Sequence, residues 1–239
     1  GFYNGSLSAS YNTDVMRHFV SVGAKGSDGY INNTDFNKKS IFYQGGLNLD
    51  LGSFEWQAGY VDNAFGANSF YTAKYPDQFE QVKTSFGSLK FTSGKTFKVS
   101  PSVYYRGGND RFELFRDGAD IFPYNFHKSN VYGAKLNTTY YSDFGKSSFG
   151  AEVRNENSLS NTLGDTPDTV KVKGYDAYYF KSFQRTNYSF FAEHQFKTNK
   201  LFVTAGIMGF GSSALASEVS FYPGLDVSYE LFDGLRIKS

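Results

Sequence analysis

Tight turns and long loops alternate along this chain, and the segments between them repeat with a period of two residues. The tight turns fall at Asn12-Thr13-Asp14, Leu51-Gly52-Ser53, Ser93-Gly94-Lys95, Phe144-Gly145-Lys146, Thr198-Asn199-Lys200 and Phe232-Asp233-Gly234. The longer connections lie roughly at 26–37, 61–78, 107–127, 157–186 and 211–218. Short turns on one rim and long loops on the other describe the antiparallel strands of a transmembrane barrel wall. A soluble sandwich has no reason to keep its short turns on one side.

The alternation is clearest from Ile41 to Leu51. Ile41, Tyr43, Gly45, Leu47, Leu49 and Leu51 take one face, and Phe42, Gln44, Gly46, Asn48 and Asp50 take the other. Beyond the turn, Phe54, Trp56, Ala58 and Tyr60 oppose Glu55, Gln57 and Gly59. Tyr132, Ala134, Leu136 and Tyr140 oppose Lys135, Asn137 and Thr139, and Tyr188, Phe190, Ala192 and Phe196 oppose Ser189, Glu193, Gln195 and Lys197. The count is about eleven strands, with a twelfth beginning at Leu235. Pro101 cannot donate to a ladder and predicts a bulge. Residues 82–91 alternate poorly and predict a slip of register.

A soluble antiparallel sandwich or a lipocalin-like barrel would alternate too. Aromatic residues crowding the strand ends favour a membrane. So do Glu152, Arg154, Glu193 and Lys197 on the inner face, which are too many charges for a small packed interior. Composition agrees: the apolar fraction is only 40% while aromatics reach 19%, as expected of a thin apolar band with aromatic girdles around a wet interior. No apolar run approaches the ~18 residues of a transmembrane helix. The expected fold is therefore all-β: an antiparallel transmembrane β-barrel wall of about 11–12 strands, with residues 1–239 as one partial barrel domain.

Charge excludes little except nucleic acid. Lys and Arg total 24 against 23 for Asp and Glu, without the basic balance a nucleic-acid partner favours. The absence of cysteine removes thiol chemistry and Cys-based metal sites. A hydrolase barrel would need a Ser–His pair oriented by a third group. His194 lies on the apolar face of its strand with no serine assignable beside it, so it reads as an interfacial residue and the chain as a non-enzyme. Asp62 with Asn63, Asp110 with Glu113, and Asp117 with Asp120 offer oxygen ligands without EF-hand spacing. No cofactor and no metal are expected. The 157–186 loop, with Asp165, Pro167, Asp168, Tyr175, Asp176, Tyr178, Tyr179 and Phe180, suits either a ligand lid or a surface loop.

Three stretches carry a resemblance. Gly26-Ser27-Asp28-Gly29-Tyr30-Ile31-Asn32-Asn33-Thr34-Asp35-Phe36 resembles the SDGY…NTDF loop early in the barrels of TonB-dependent outer-membrane receptors. The segment Asp62–Glu80 resembles the next outer loop of such receptors from Bacteroidetes-like bacteria. Val131–Gly164 is similar to a later hairpin and its outer loop. The resemblance implies a bacterial outer-membrane location and a 22-stranded barrel filled by an N-terminal plug, of which this chain supplies roughly strands 2 to 12. It implies active uptake of a large scarce nutrient (cobalamin, a siderophore-like chelate or a glycan), energised by TonB–ExbB–ExbD acting on a TonB box before the plug. The subgroup it most resembles is the cobalamin-transporter branch. Outer-membrane lipid and a surface lipoprotein are the other expected partners. TonB box, plug and the terminal aromatic are missing, Ser239 being last, so the chain reads as a fragment.

Substrate contacts are expected in the second and third outer loops, at Asn63, Phe65, Asn68, Phe70, Tyr71, Arg106, Arg111 and Phe115. Aromatic rings offer flat apolar contact and Arg offers directed hydrogen bonds. The alternatives are a self-contained 12-stranded porin or outer-membrane hydrolase, and a soluble β-rich binding domain.

Overall fold

The computed structural model describes residues 1–215 and 219–238, with the side chains of 166–168 outside that description. The side chains of Pro167 and Asp168 in the long loop, residues 216–218 of the last outer loop and Ser239 therefore lie outside that description. The chain forms one antiparallel sheet of 13 strands with no helix among the described residues. In chain order they are β1 (Phe2–Asn12), β2 (Met16–Ser27), β3 (Phe36–Leu49), β4 (Gly52–Gly66), β5 (Phe79–Thr92), β6 (Phe97–Glu113) and β7 (Asn125–Ser142). There follow β8 (Gly145–Ser160), β9 (Thr166–Lys171), β10 (Tyr178–Lys197), β11 (Leu201–Ser212), β12 (Ser220–Phe232) and β13 (Leu235–Lys238). Each pairs with its neighbour in sequence, except that β8 pairs directly with β10 and β9 hydrogen-bonds to the other edge of β10.

Local chemistry sets the tight turns. The Thr13 and Thr198 hydroxyls accept from the amides of Met16 and Leu201 at 2.9 and 3.0 Å, so each side chain closes its own three-residue turn. Gly94 has φ +94°, and a Cβ there would lie 1.8 Å from the Phe97 carbonyl oxygen. Only glycine fits that turn.

Register joins the single-strand alternations into two continuous faces. One row runs Leu7–Val22–Ile41–Tyr60 across the first four strands. The same face continues as Leu89–Val103–Ala134–Val153–Tyr188 across β5 to β10. Its residues are large, apolar and bare: Ile41 is 48% exposed, Val103 54%, Leu136 47% and Val153 49%. Apolar surface of that extent, spread over every strand, needs a hydrocarbon partner. Aromatics bracket it. Phe97 and Tyr105, Tyr140 and Tyr132, and Phe196 and Tyr188 are each eight residues apart on the same face. That spacing is about 26 Å along a strand, or roughly 20 Å along the membrane normal for a strand tilted ~40°, close to the height of a barrel's apolar band. The geometry is that of a membrane-spanning wall.

The opposite face is polar and linked. Lys135 and Glu152 pair at 3.4 Å, and the Tyr104 hydroxyl donates to the same carboxylate. Glu156 accepts from Arg185 at 2.6 Å and pairs with Arg154 at 2.8 Å. A barrel lumen accepts such charges because water or protein meets them there.

Five expectations need correction. The strand count rises because the 157–186 connection contains β9. Residues 61–66, 107–113 and 178–186 continue β4, β6 and β10 beyond the membrane, because the ladder persists where the apolar signal ends. Pro101 makes no bulge: it faces Leu136 in regular register, while pairing toward β5 lapses after Ser102 and resumes unshifted at Ser93–Val99. Residues 82–91 do not slip either. Val82 and Phe86 simply point to the inner face, where Phe86 meets Phe42 and Phe42 meets Phe19, each at 6.2 Å between ring centroids. A self-contained barrel is not favoured, since β1 pairs with β2 and β13 with β12 but not with each other among the described residues.

Candidate functional site

The long-loop rim is where side chains converge. Arg116, from the β6–β7 loop, donates to both oxygens of Asp35 at 2.5 and 3.0 Å and to Asn33 Oδ1 at 3.0 Å. Its guanidinium also lies 4.7 Å from the Phe79 ring centroid. Asn33, in the left-handed conformation (φ 55°), donates from Nδ2 to the carbonyls of Pro76 and Gln78 at 2.9 and 2.6 Å. The Asn68 amide donates to the Asn32 carbonyl at 2.6 Å. Three loops far apart in sequence are thereby tied together. The hydrogen bonds from Arg116 hold the Asp35 carboxyl below the usual carboxylate range, against an opposing contribution from burial.

Beside this knot, on the inner face, lies an aromatic and acidic ledge. Phe65, Glu80 and Phe112 are successive cross-strand partners on β4, β5 and β6. Tyr71 folds over them: its hydroxyl donates to Glu80, and its ring meets Phe112 edge-on at 5.3 Å and Phe70 at 4.9 Å. Donation to the Glu80 carboxylate, reinforced by burial, pushes the Tyr71 hydroxyl up to about 12. Asp110 stands two residues from Phe112 on the same face, opposite His127. Its Oδ1 is buried with no hydrogen-bond partner among the described residues. Burial, then the Glu80 charge, raises its pKa to about 6, and burial lowers that of His127. The ledge offers flat apolar contact with carboxylate acceptors at its edge.

The expected substrate residues divide. Asn63, Phe65 and Arg106 lie on the inner row of β4 and β6, and Phe70 and Tyr71 form the ledge. Phe70 is 73% exposed. Asn68 is engaged with Asn32, and Phe115 packs edge-on against Tyr75 at 5.6 Å. Arg111 is on the other side of the wall, paired with Glu113 at 3.0 Å and donating to the Tyr175 hydroxyl. Glu80, Phe112, Asp110 and His127 were missed as a set. Only Asp110 and Phe112 are close in sequence; Glu80 and His127 join them as cross-strand partners, inside stretches whose composition is that of loops.

Two of the three groups that offered oxygen ligands are separated by the same alternation, and Asp117 and Asp120 lie in the β6–β7 loop. Asp62 and Asn63 point to opposite faces of β4, as do Asp110 and Glu113 on β6. Glu113 is 1% exposed and accepts from the Asp117 amide at 2.8 Å. His194 does find a serine: Ser147 is its cross-strand partner, with Oγ 2.9 Å from Nδ1, while Nε2 lies 3.3 Å from the Phe144 carbonyl. This arrangement ties the β7–β8 turn to β10 at the aromatic girdle.

The 157–186 connection is not a lid over the lumen. Val172 and Tyr179 pack with Phe126, and Tyr124, Leu159 and Ala177 pack around them. Phe126 and Leu159 belong to the outward row, so the segment lies against the outside of the wall. A register shift between Tyr179 and Lys181 turns Tyr179 to that side.

No protein-family model and no curated protein matches the sequence. Solved structures do match in shape. The FrpB iron transporter from Neisseria meningitidis has a TM-score of 0.73 at 9% identity over 99% of this chain and 42% of its own. The copper transporter OprC gives 0.70 at 16% identity, covering 98% and 41%. The siderophore receptor PirA from Pseudomonas aeruginosa gives 0.69 at 10%, covering 98% and 37%. The chain spans about two fifths of the length of these structures. Its fold is that of the barrel wall of TonB-dependent outer-membrane receptors.

Proposed function

We propose that this chain forms part of the barrel wall of a bacterial outer-membrane receptor that takes up a scarce nutrient with energy supplied through TonB. Further strands of a longer protein complete the wall, because hydrocarbon does not tolerate the unpaired edges of β1 and β13. The neighbours' cargoes of copper, iron and siderophores favour a metal chelate, with cobalamin or a glycan as other classes suited to flat contacts and carboxylate acceptors. The observation that carries this reading is the ledge of Phe70, Tyr71, Phe112, Glu80 and Asp110, on the inner face at the outer rim. Phe65 belongs to the same ledge, and Asn63 and Arg106 extend its surface toward the lumen.

The test is growth and uptake in cells carrying the intact receptor. A ferric siderophore, copper, cobalamin or an oligosaccharide is supplied in turn as the limiting nutrient. Tyr71→Ala with Phe70→Ala should lower uptake of one class by about tenfold or more, the scale of losing two aromatic contacts. Unchanged uptake of every class, with the variant inserted normally, would overturn the reading.

A further inference from the structure

The outward side of the wall carries a basic notch, on the face opposite the ledge. Lys39, Asp62, Lys83, Asn109 and Lys128 are successive cross-strand partners from β3 to β7, all on the lipid-facing row. Lys171 and Lys173 come from the segment strapped across the outside, and face Lys83 and Lys128 over a cavity of about 610 Å³. Lys83 leans toward Asp62 at 3.7 Å and Lys171 toward Asp176 at 3.9 Å. Lys128 and Lys173 meet no carboxylate among the described residues. The floor of the cavity is girdle: Tyr105 and Tyr132 line its lower side.

Height decides what such a notch meets. Lys128 is four residues beyond Tyr132, about 13 Å along the strand and roughly 10 Å along the membrane normal. The polar headgroup layer reaches about 5–8 Å beyond the hydrocarbon on each side. The lysine ammonium groups, on flexible stems that reach toward an interface, therefore stand at headgroup level on the long-loop side. Long loops in such barrels face the cell exterior.

We propose that this notch binds the phosphate of an anionic glycolipid headgroup in the outer leaflet, with Lys128 and Lys173 as the principal cations. Lys83 and Lys171 add charge from either side, and Tyr105 and Tyr132 rest on the lipid below. The strap is then a clamp for boundary lipid, which accounts for its packing outside the lumen.

Native mass spectrometry of the detergent-purified barrel protein tests this with three probes: bis-phosphorylated lipid A, its dephosphorylated form, and inorganic phosphate. The bis-phosphorylated lipid should bind at least tenfold more tightly than either other probe. Lys128→Gln with Lys173→Gln should weaken it by on the order of tenfold or more, at roughly fivefold per lysine. Lys38→Gln, at similar height on the inner row, should leave it unchanged. Equal binding of the dephosphorylated lipid, equal binding of free phosphate, or full retention by the double variant would each overturn the proposal. The inference rests on the membrane placement of the wall and not on cargo, so a failure of the Tyr71 uptake test leaves it standing.

Discussion

Asp35 meets the Arg116 guanidinium and is held ionised, whereas Asp110 is half-buried beside the Glu80 carboxylate and is pushed toward the neutral form. The two make opposite predictions with pH. Asp35 has a lowered folded pKa, so its stabilisation is present above the ordinary value of 3.8 and is lost as pH falls through the folded value. Arg116→Ala should speed hydrogen exchange at the Gly66 and Asn68 amides, which donate to the carbonyls of Asp35 and Asn33 at 2.8 and 3.1 Å. About tenfold is expected at neutral pH, the scale of one partly exposed bidentate pair. The ratio of variant to parent should shrink in acid. Asp110 runs the other way: its contribution is complete below 3.8 and is lost as pH rises through about 6. Asp110→Asn should therefore raise the thermal midpoint at pH 7.5 and give no gain at pH 4. A uniform gain at both would mean that ionisation of Asp110 is not the cause.

At the scale of elements, β9 and its flanks separate packing from pairing. β9 hydrogen-bonds to β10, yet Val172 just beyond it is 4% exposed through contact with Phe126 and Tyr179. Val172→Ser removes apolar burial and places a hydroxyl among aromatic rings, a loss of about 2 kcal/mol in the strap's closed state. Protease cleavage within residues 163–177 on intact cells should speed by roughly tenfold or more, since cleavage follows the population of the open segment. Barrel insertion should be unaffected, because β8 pairs with β10 without β9. Cleavage that also releases the barrel from the membrane would show that the strap is structural to the wall.

Across the whole molecule, stability depends on which solvent meets each row. Leu136 lies midway between Tyr132 and Tyr140 on the outward row, and Asn137 points to the lumen. Leu136→Arg should cost about 2–4 kcal/mol of folding in lipid bilayers, and Asn137→Arg less than about 1 kcal/mol. Equal costs would sink the assignment of faces. Those faces were legible in the chain because side-chain direction alternates with every residue, and the tight turns announced themselves through Thr13, Gly94 and Thr198. The barrel wall, the girdles and the sidedness of the loops followed from these local rules. The destinations of the loops did not follow, because they depend on contacts between residues distant along the chain. Arg111 was expected to meet cargo, yet the ladder from β5 to β7 carries it outward. The ledge needed three strands in register before Phe65, Glu80 and Phe112 became neighbours. The 157–186 segment has the composition of a lid, and only the packing of Val172 and Tyr179 on Phe126 decided which side of the wall it covers.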